Sequence, residues 1–125
     1  MRFVGKLNRK IYSCITEDIV TDEVIITDNQ IKHIMERHKD SYAEIIDFLE
    51  DVITDPDYII KDKRKYTGLL IKQVKINDYH VQLVLRLCTS EDEPGYKNSV
   101  ISCWKISNNR LQNYLRNKTI LYMKK

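Results

Sequence analysis

The apolar period of this chain changes at Thr54-Asp55-Pro56-Asp57, and that change constrains the fold more than any other feature. Ahead of it the period is helical. Thr27 followed by Gln30 is a capping-box signature. It predicts a helix to about Lys39, with Ile31, Ile34, Met35 and His38 on one face. Ser41 and Glu44 make a second such signature. Behind it Tyr42, Ile45, Ile46, Leu49, Val52 and Ile53 form an inward stripe, with Glu44, Asp47, Glu50 and Asp51 outside. Pro56 cannot continue a helix and restricts the residue before it, so the second helix stops there.

Beyond Pro56 the period becomes that of strands. Tyr58–Ile60 and Leu69–Ile76 read as extended, Asn77-Asp78 as a turn, and His80–Cys88 as the returning arm of a hairpin. Thr89–Lys97 is a loop and Asn98–Lys105 a further strand. Ser107 caps a short helix to about Asn117, with Leu111, Tyr114 and Leu115 inward, and Thr119–Met123 is the last strand. Helices first and a mainly antiparallel sheet afterwards predict an α+β fold, with the N-terminal helices packed on the sheet. The 125 residues fit one domain, 1–125, in which 1–26 form a lead-in whose structure the pattern leaves open.

Membrane and disulfide-framework classes are disfavoured. No apolar run approaches the ~18 residues of a membrane span, and no long apolar stretch follows the N-terminal charges, which argues against a secretory signal. Cys14, Cys88 and Cys103 are odd in number and far apart. This disfavours a disulfide framework or a cysteine zinc site and suits a reducing, cytoplasmic setting. The net charge of +3 is unevenly distributed: residues 1–60 carry −6 and residues 61–125 carry +9. A basic half is the footprint of a polyanion binder, or else a set of solvated lysines.

Strand alternation suggests where a polyanion would bind. In the strand from His80 the odd positions Val81, Leu83, Leu85 and Leu87 are all apolar and should pack on the helices. If even positions share a face throughout, that face mixes Lys72, Arg86, Asn98 and Ser102 with Val84, Val100 and Trp104. Such a surface suits phosphate and base contacts; an ordinary solvent face has a similar composition. His33 and His38 are five residues apart and should diverge by roughly 140° on a helix. The zinc pair of H-E-x-x-H is spaced i, i+4, so no metal site is expected from them. His38 lies on the apolar stripe and reads first as a hydrogen-bonded interior histidine. His33 points elsewhere, beside Arg37.

Taken in order, several segments resemble the phage Barnase–EndoU–colicin–RelE-like (BECR) nucleases. Ile26–His38 is similar to their T-x-x-Q-I-x-H-I-x-x-R-H opening. Asp55-Pro56-Asp57-Tyr58-Ile59 resembles the joint after the second helix. Leu70-Ile71-Lys72 and Val84-Leu85-Arg86-Leu87 resemble the lysine- and arginine-bearing strands. Lys97–Ser102 and Ile120-Leu121-Tyr122 resemble the closing motifs. The resemblance implies a barnase/EndoU-like fold and a toxin-like, metal-independent endoribonuclease of phage or mobile-element origin, with no cofactor. Its partners would be RNA and an immunity- or antitoxin-like inhibitor protein. His33 or His38 would serve as base or acid, Lys72 and Arg86 would hold the developing charge, Ser102 would bind a phosphate oxygen, and Asn98 and Tyr122 would position the substrate. Ser102 stands where the family usually carries Thr. The alternative is a non-catalytic nucleic-acid-binding or protein-interaction module on the same fold.

Overall fold

The computed structural model describes residues 1–76 and 79–125, and for residues 39–41, 75 and 76 the backbone alone. The turn expected at Asn77-Asp78 lies outside the described residues. Seven strands of the described chain form one sheet: β1 Arg2–Lys6, β2 Glu23–Ile26, β3 Tyr58–Lys61, β4 Thr67–Ile76, β5 Tyr79–Arg86, β6 Asn98–Ile106 and β7 Ile120–Met123. Their order is β1-β2-β6-β5-β4-β3-β7. Neighbours run antiparallel except β2 and β6, which pair in parallel at Val24↔Asn98 and Ile25↔Ser99. The helices are α1 Arg9–Tyr12, α2 Asp28–Arg37, α3 Lys39–Ile45, α4 Leu49–Thr54 and α5 Asn108–Asn117, with a 3-10 turn at Ile46–Phe48. The class is α+β. The lead-in supplies β1, α1 and β2.

Local chemistry explains the helix starts. Thr27 accepts a hydrogen bond from the Gln30 N–H while the Gln30 side chain accepts from the Thr27 N–H, so both halves of the capping box form. Ser107 accepts from the Arg110 N–H at the head of α5. The second predicted helix departs from expectation. It begins at Lys39, ahead of Ser41, and the 3-10 turn divides it. Tyr42, Ile45, Leu49, Val52 and Ile53 still reach the same core.

The sheet has two differently covered faces. On the first, Leu70, Val74, Val81, Leu83, Leu85 and Val100 form a cluster with Tyr12, Ile45, Leu49, Val52 and Ile53. The Tyr12 hydroxyl, fully buried there, donates to the Ile53 carbonyl at 2.7 Å, and burial pushes its pKa upward. On the second, Leu69, Ile71, Val84 and Ile106 pack with Leu111 of α5, flanked by Tyr58, Trp104, Tyr114 and Leu115.

Register overturns the expected even-numbered face. Paired residues point the same way, and β4 pairs Lys72 with Val81 and Leu70 with Leu83. Even residues of β4 therefore lie with odd residues of β5, and Lys72 falls on the first face. Arg86, two residues beyond Val84, falls on the second. A bulge then divides β6: Val84 pairs with Ser102, but Leu85 pairs with Val100. One extra residue inverts the alternation. Ser102 and Trp104 stay on the second face, whereas Val100 and Asn98 go to the first.

Candidate active site

On the second face a cleft of about 440 Å³ opens between α2 and the β5–β6 pair. The walls come from three places. One face of α2 and its C-cap supply Gln30, His33, Ile34, Arg37 and His38; the strands supply Val84, Ile101, Ser102 and Trp104; the β3–β4 connection supplies Arg64. β2 leaves β6 after Ser99, so among the described residues no strand covers the outer edge of β6 at Ile101–Trp104, and α2 packs near β6.

The two histidines meet in this cleft although helical geometry says they should diverge. The reason is local. α2 ends at Arg37, and His38 is its C-cap, with φ −138° and ψ 48°. Its side-chain direction is no longer set by the 3.6-residue turn. The imidazole of His38 stacks on the Trp104 indole, centroids 5.2 Å apart and planes inclined by 16°. His33 stays on the last turns of α2, largely exposed, with Nδ1 4.0 Å from Glu36.

Two cations border the imidazoles. Arg64 is held by Asp62, whose carboxylate takes Nε–H at 2.9 Å and Nη2–H at 3.2 Å and also the Arg64 backbone N–H at 2.8 Å. That clamp raises the guanidinium pKa and lowers the Asp62 pKa. It leaves three guanidinium N–H groups for another acceptor. Arg37, at the last helical position, lines the same cleft. Ser99 donates to the Gln30 side chain at 3.2 Å, tying the start of β6 to α2.

His33, His38, Ser102 and Trp104 are thus brought together, and four other expected site residues are not. Lys72 reaches across the first face to the end of α4, donating to the Asp55 carbonyl at 2.6 Å and to its carboxylate at 3.1 Å. Lys124 binds the same carboxylate at 2.6 Å. The two ammonium groups, Lys124 foremost, lower the Asp55 pKa. Arg86 grips Asp92 with two bonds of 3.1 and 2.9 Å and donates to the Leu87 carbonyl. It anchors the β5–β6 loop. The expected convergence of Lys72 and Arg86 beside an imidazole does not occur, because the β4–β5 register puts them on opposite faces. Asn98 is fully buried: its side chain accepts from the Cys88 N–H and donates to the Thr21 and Glu23 carbonyls. Both amide donors are used and the side chain is fully buried, so it does not face a substrate. Tyr122 lies in β7 opposite Ile59 and packs against the first-face core.

Sequence reasoning missed Gln30, Arg37 and Arg64 as site residues. Gln30 and Arg37 stand inside the T-x-x-Q-I-x-H-I-x-x-R-H segment and were open to notice. Arg64 carries no local signal, since only the pairing of β3 with β4 delivers it. Among the described residues no group of three or more His, Cys, Asp or Glu is placed to hold a metal ion, and no helix is long and apolar enough to cross a membrane.

The sequence model of a family described as phage-Barnase-EndoU-ColicinE5/D-RelE like nuclease2 matches residues 2–123. No curated protein and no solved structure matches the chain.

Proposed function

The chain belongs to the phage-Barnase-EndoU-ColicinE5/D-RelE like nuclease2 family, and from that premise we propose that it is a metal-independent endoribonuclease whose active centre is the cleft at α2 and β6. One observation carries this reading. Side chains from distant parts of the chain, His33 and His38 on one wall and Ser102 and Trp104 on the other, face one cleft together with two guanidinium groups.

The chemistry follows from the groups present. One imidazole takes the proton of a ribose 2′-hydroxyl as its oxygen attacks the adjacent phosphorus. The bond from phosphorus to the 5′-oxygen breaks, and the other imidazole protonates that leaving oxygen. The products are a 2′,3′-cyclic phosphate and a 5′-hydroxyl. Charge accumulates on the non-bridging phosphate oxygens in between. Arg37 and Arg64, with the Ser102 hydroxyl, are the donors to meet it, and Arg64 is already oriented by Asp62. Trp104 holds the His38 ring by stacking, which limits its rotation.

The purified protein should cut RNA in the presence of EDTA and leave cyclic phosphate ends. His33→Ala and His38→Ala should each lower kcat by about 10²- to 10⁴-fold, with the urea unfolding midpoint unchanged for the exposed His33 and slightly lowered for His38, which loses its stack on Trp104. Parent-like cutting by both variants would refute the assignment. Salt-sensitive RNA binding without turnover in the parent would instead support a binding module on this fold.

A further inference from the structure

The β3–β4 connection, Lys61-Asp62-Lys63-Arg64-Lys65-Tyr66, lines a second groove, of about 510 Å³. Arg64 lines both this groove and the cleft of the histidines, so the two cavities adjoin. The groove carries four cations from six consecutive residues, and the carboxylate among them, Asp62, is engaged by Arg64. The Lys65 ammonium lies 4.9 Å from the Tyr66 ring centre and 3.7 Å from the exposed Glu91 carboxylate.

The connection has a fixed shape. Tyr66 has φ 57°, the left-handed region that side chains other than glycine rarely occupy. Its carbonyl accepts from the Leu87 N–H at 2.8 Å, the Thr67 hydroxyl bonds the Lys65 carbonyl, and Asp62 bonds the Arg64 N–H. Backbone strain held by such bonds is found where a surface must be presented in one form.

A cationic groove with an aromatic ring on its wall is the arrangement that holds single-stranded nucleic acid, phosphates on the cations and a base on the ring. We propose that this groove binds the single-stranded RNA flanking the cleaved linkage. Lys61, Lys63 and Lys65 track its phosphates, and Tyr66 stacks one of its bases. The substrate is then an extended strand and not a dinucleotide. This inference rests on the proposed cleft for its direction, but its test does not need cleavage.

The probes are 2′-O-methyl oligoribonucleotides of two and of about ten residues, which lack the attacking hydroxyl and stay intact. Their binding is read by fluorescence anisotropy at several salt concentrations. The parent should bind the longer probe more tightly than the short one. Lys63→Ala with Lys65→Ala should remove most of that advantage and reduce the slope of log affinity against log salt by about 1.4, at ~0.7 per phosphate contact for single strands. Both lysines are exposed, so the unfolding midpoint should hold. Tyr66→Gly, which relieves the backbone strain, should weaken the longer probe at least about fivefold. Equal binding of the two probes by the parent, or a length advantage and salt slope that survive the double variant, would overturn the proposal. Failure to cut RNA while the length advantage depends on the two lysines would count against the catalytic reading alone.

Discussion

Asn98 shows how one residue type can point toward a ligand in sequence and be consumed by the fold. Next to Ser102 and Trp104 in strand order, it resembles a substrate-positioning amide. In the structure it joins β2, the segment before β2, and the start of the β5–β6 loop through three bonds of 2.8, 2.8 and 3.0 Å. Asn98→Ala would strand the buried Cys88 N–H and take a donor from two half-buried carbonyls, so it should lower unfolding free energy by about 3 kcal/mol, at ~1–3 per buried group left unpaired. A urea titration measures this. A substrate-positioning role would raise KM at unchanged stability. His38 is the reverse case. Its position on a helical wheel predicts a core histidine; the C-cap backbone turns it into the cleft and onto Trp104. Helical periodicity cannot describe a residue that has left the helix.

The elements that hold the cleft were visible in the sequence, but their joints were not. Thr27 and Gln30 cap α2 as their spacing requires. Leu111, Tyr114 and Leu115 bring α5 to the second face as their period requires. At the end of α4, by contrast, Asp55 is a hub whose carboxylate receives both Lys72 of β4 and Lys124 just after β7, each remote in sequence. These two ammonium groups lower its pKa in the fold. The folded chain then binds fewer protons than the unfolded chain through that range. The stabilisation is complete above the ordinary carboxylate pKa and is lost as pH falls through the lower folded value. Asp55→Asn should therefore flatten the acid limb of a stability-versus-pH curve and change little in the slope above neutrality. An unaltered acid limb would mean that the hub does not couple to folding.

For the whole molecule, the segregation of charge has an internal use as well as an external one. Among the described residues, every ion pair that joins the two halves takes its cation from residues 61–125 and its carboxylate from residues 1–60. These are Lys97 with Glu23, Lys105 with Glu44, and Lys72 and Lys124 with Asp55. Part of the +9 thus binds the −6 and is not offered to a polyanion. The carboxylates of these pairs are exposed, so salt screens them. Raising sodium chloride should lower unfolding free energy by no more than ~2 kcal/mol across the set, while RNA affinity falls far more steeply. Equal salt responses in the two measurements would contradict this division of charge.

The α+β class, the caps of α2 and α5, the strand-rich second half and the family resemblance all lie in short-range pattern, and the sequence determined them alone. Periods of 3.6 and 2 and capping spacings act within a few residues, so no distant partner is needed to read them. Which cations stand beside the imidazoles was decided by tertiary structure. A strand's faces depend on the register of its neighbour, and a shift or bulge of one residue exchanges them. That register sent Lys72 to Asp55 and Asn98 into the interior, and the β3–β4 pairing brought in Arg64, which no local spacing marks.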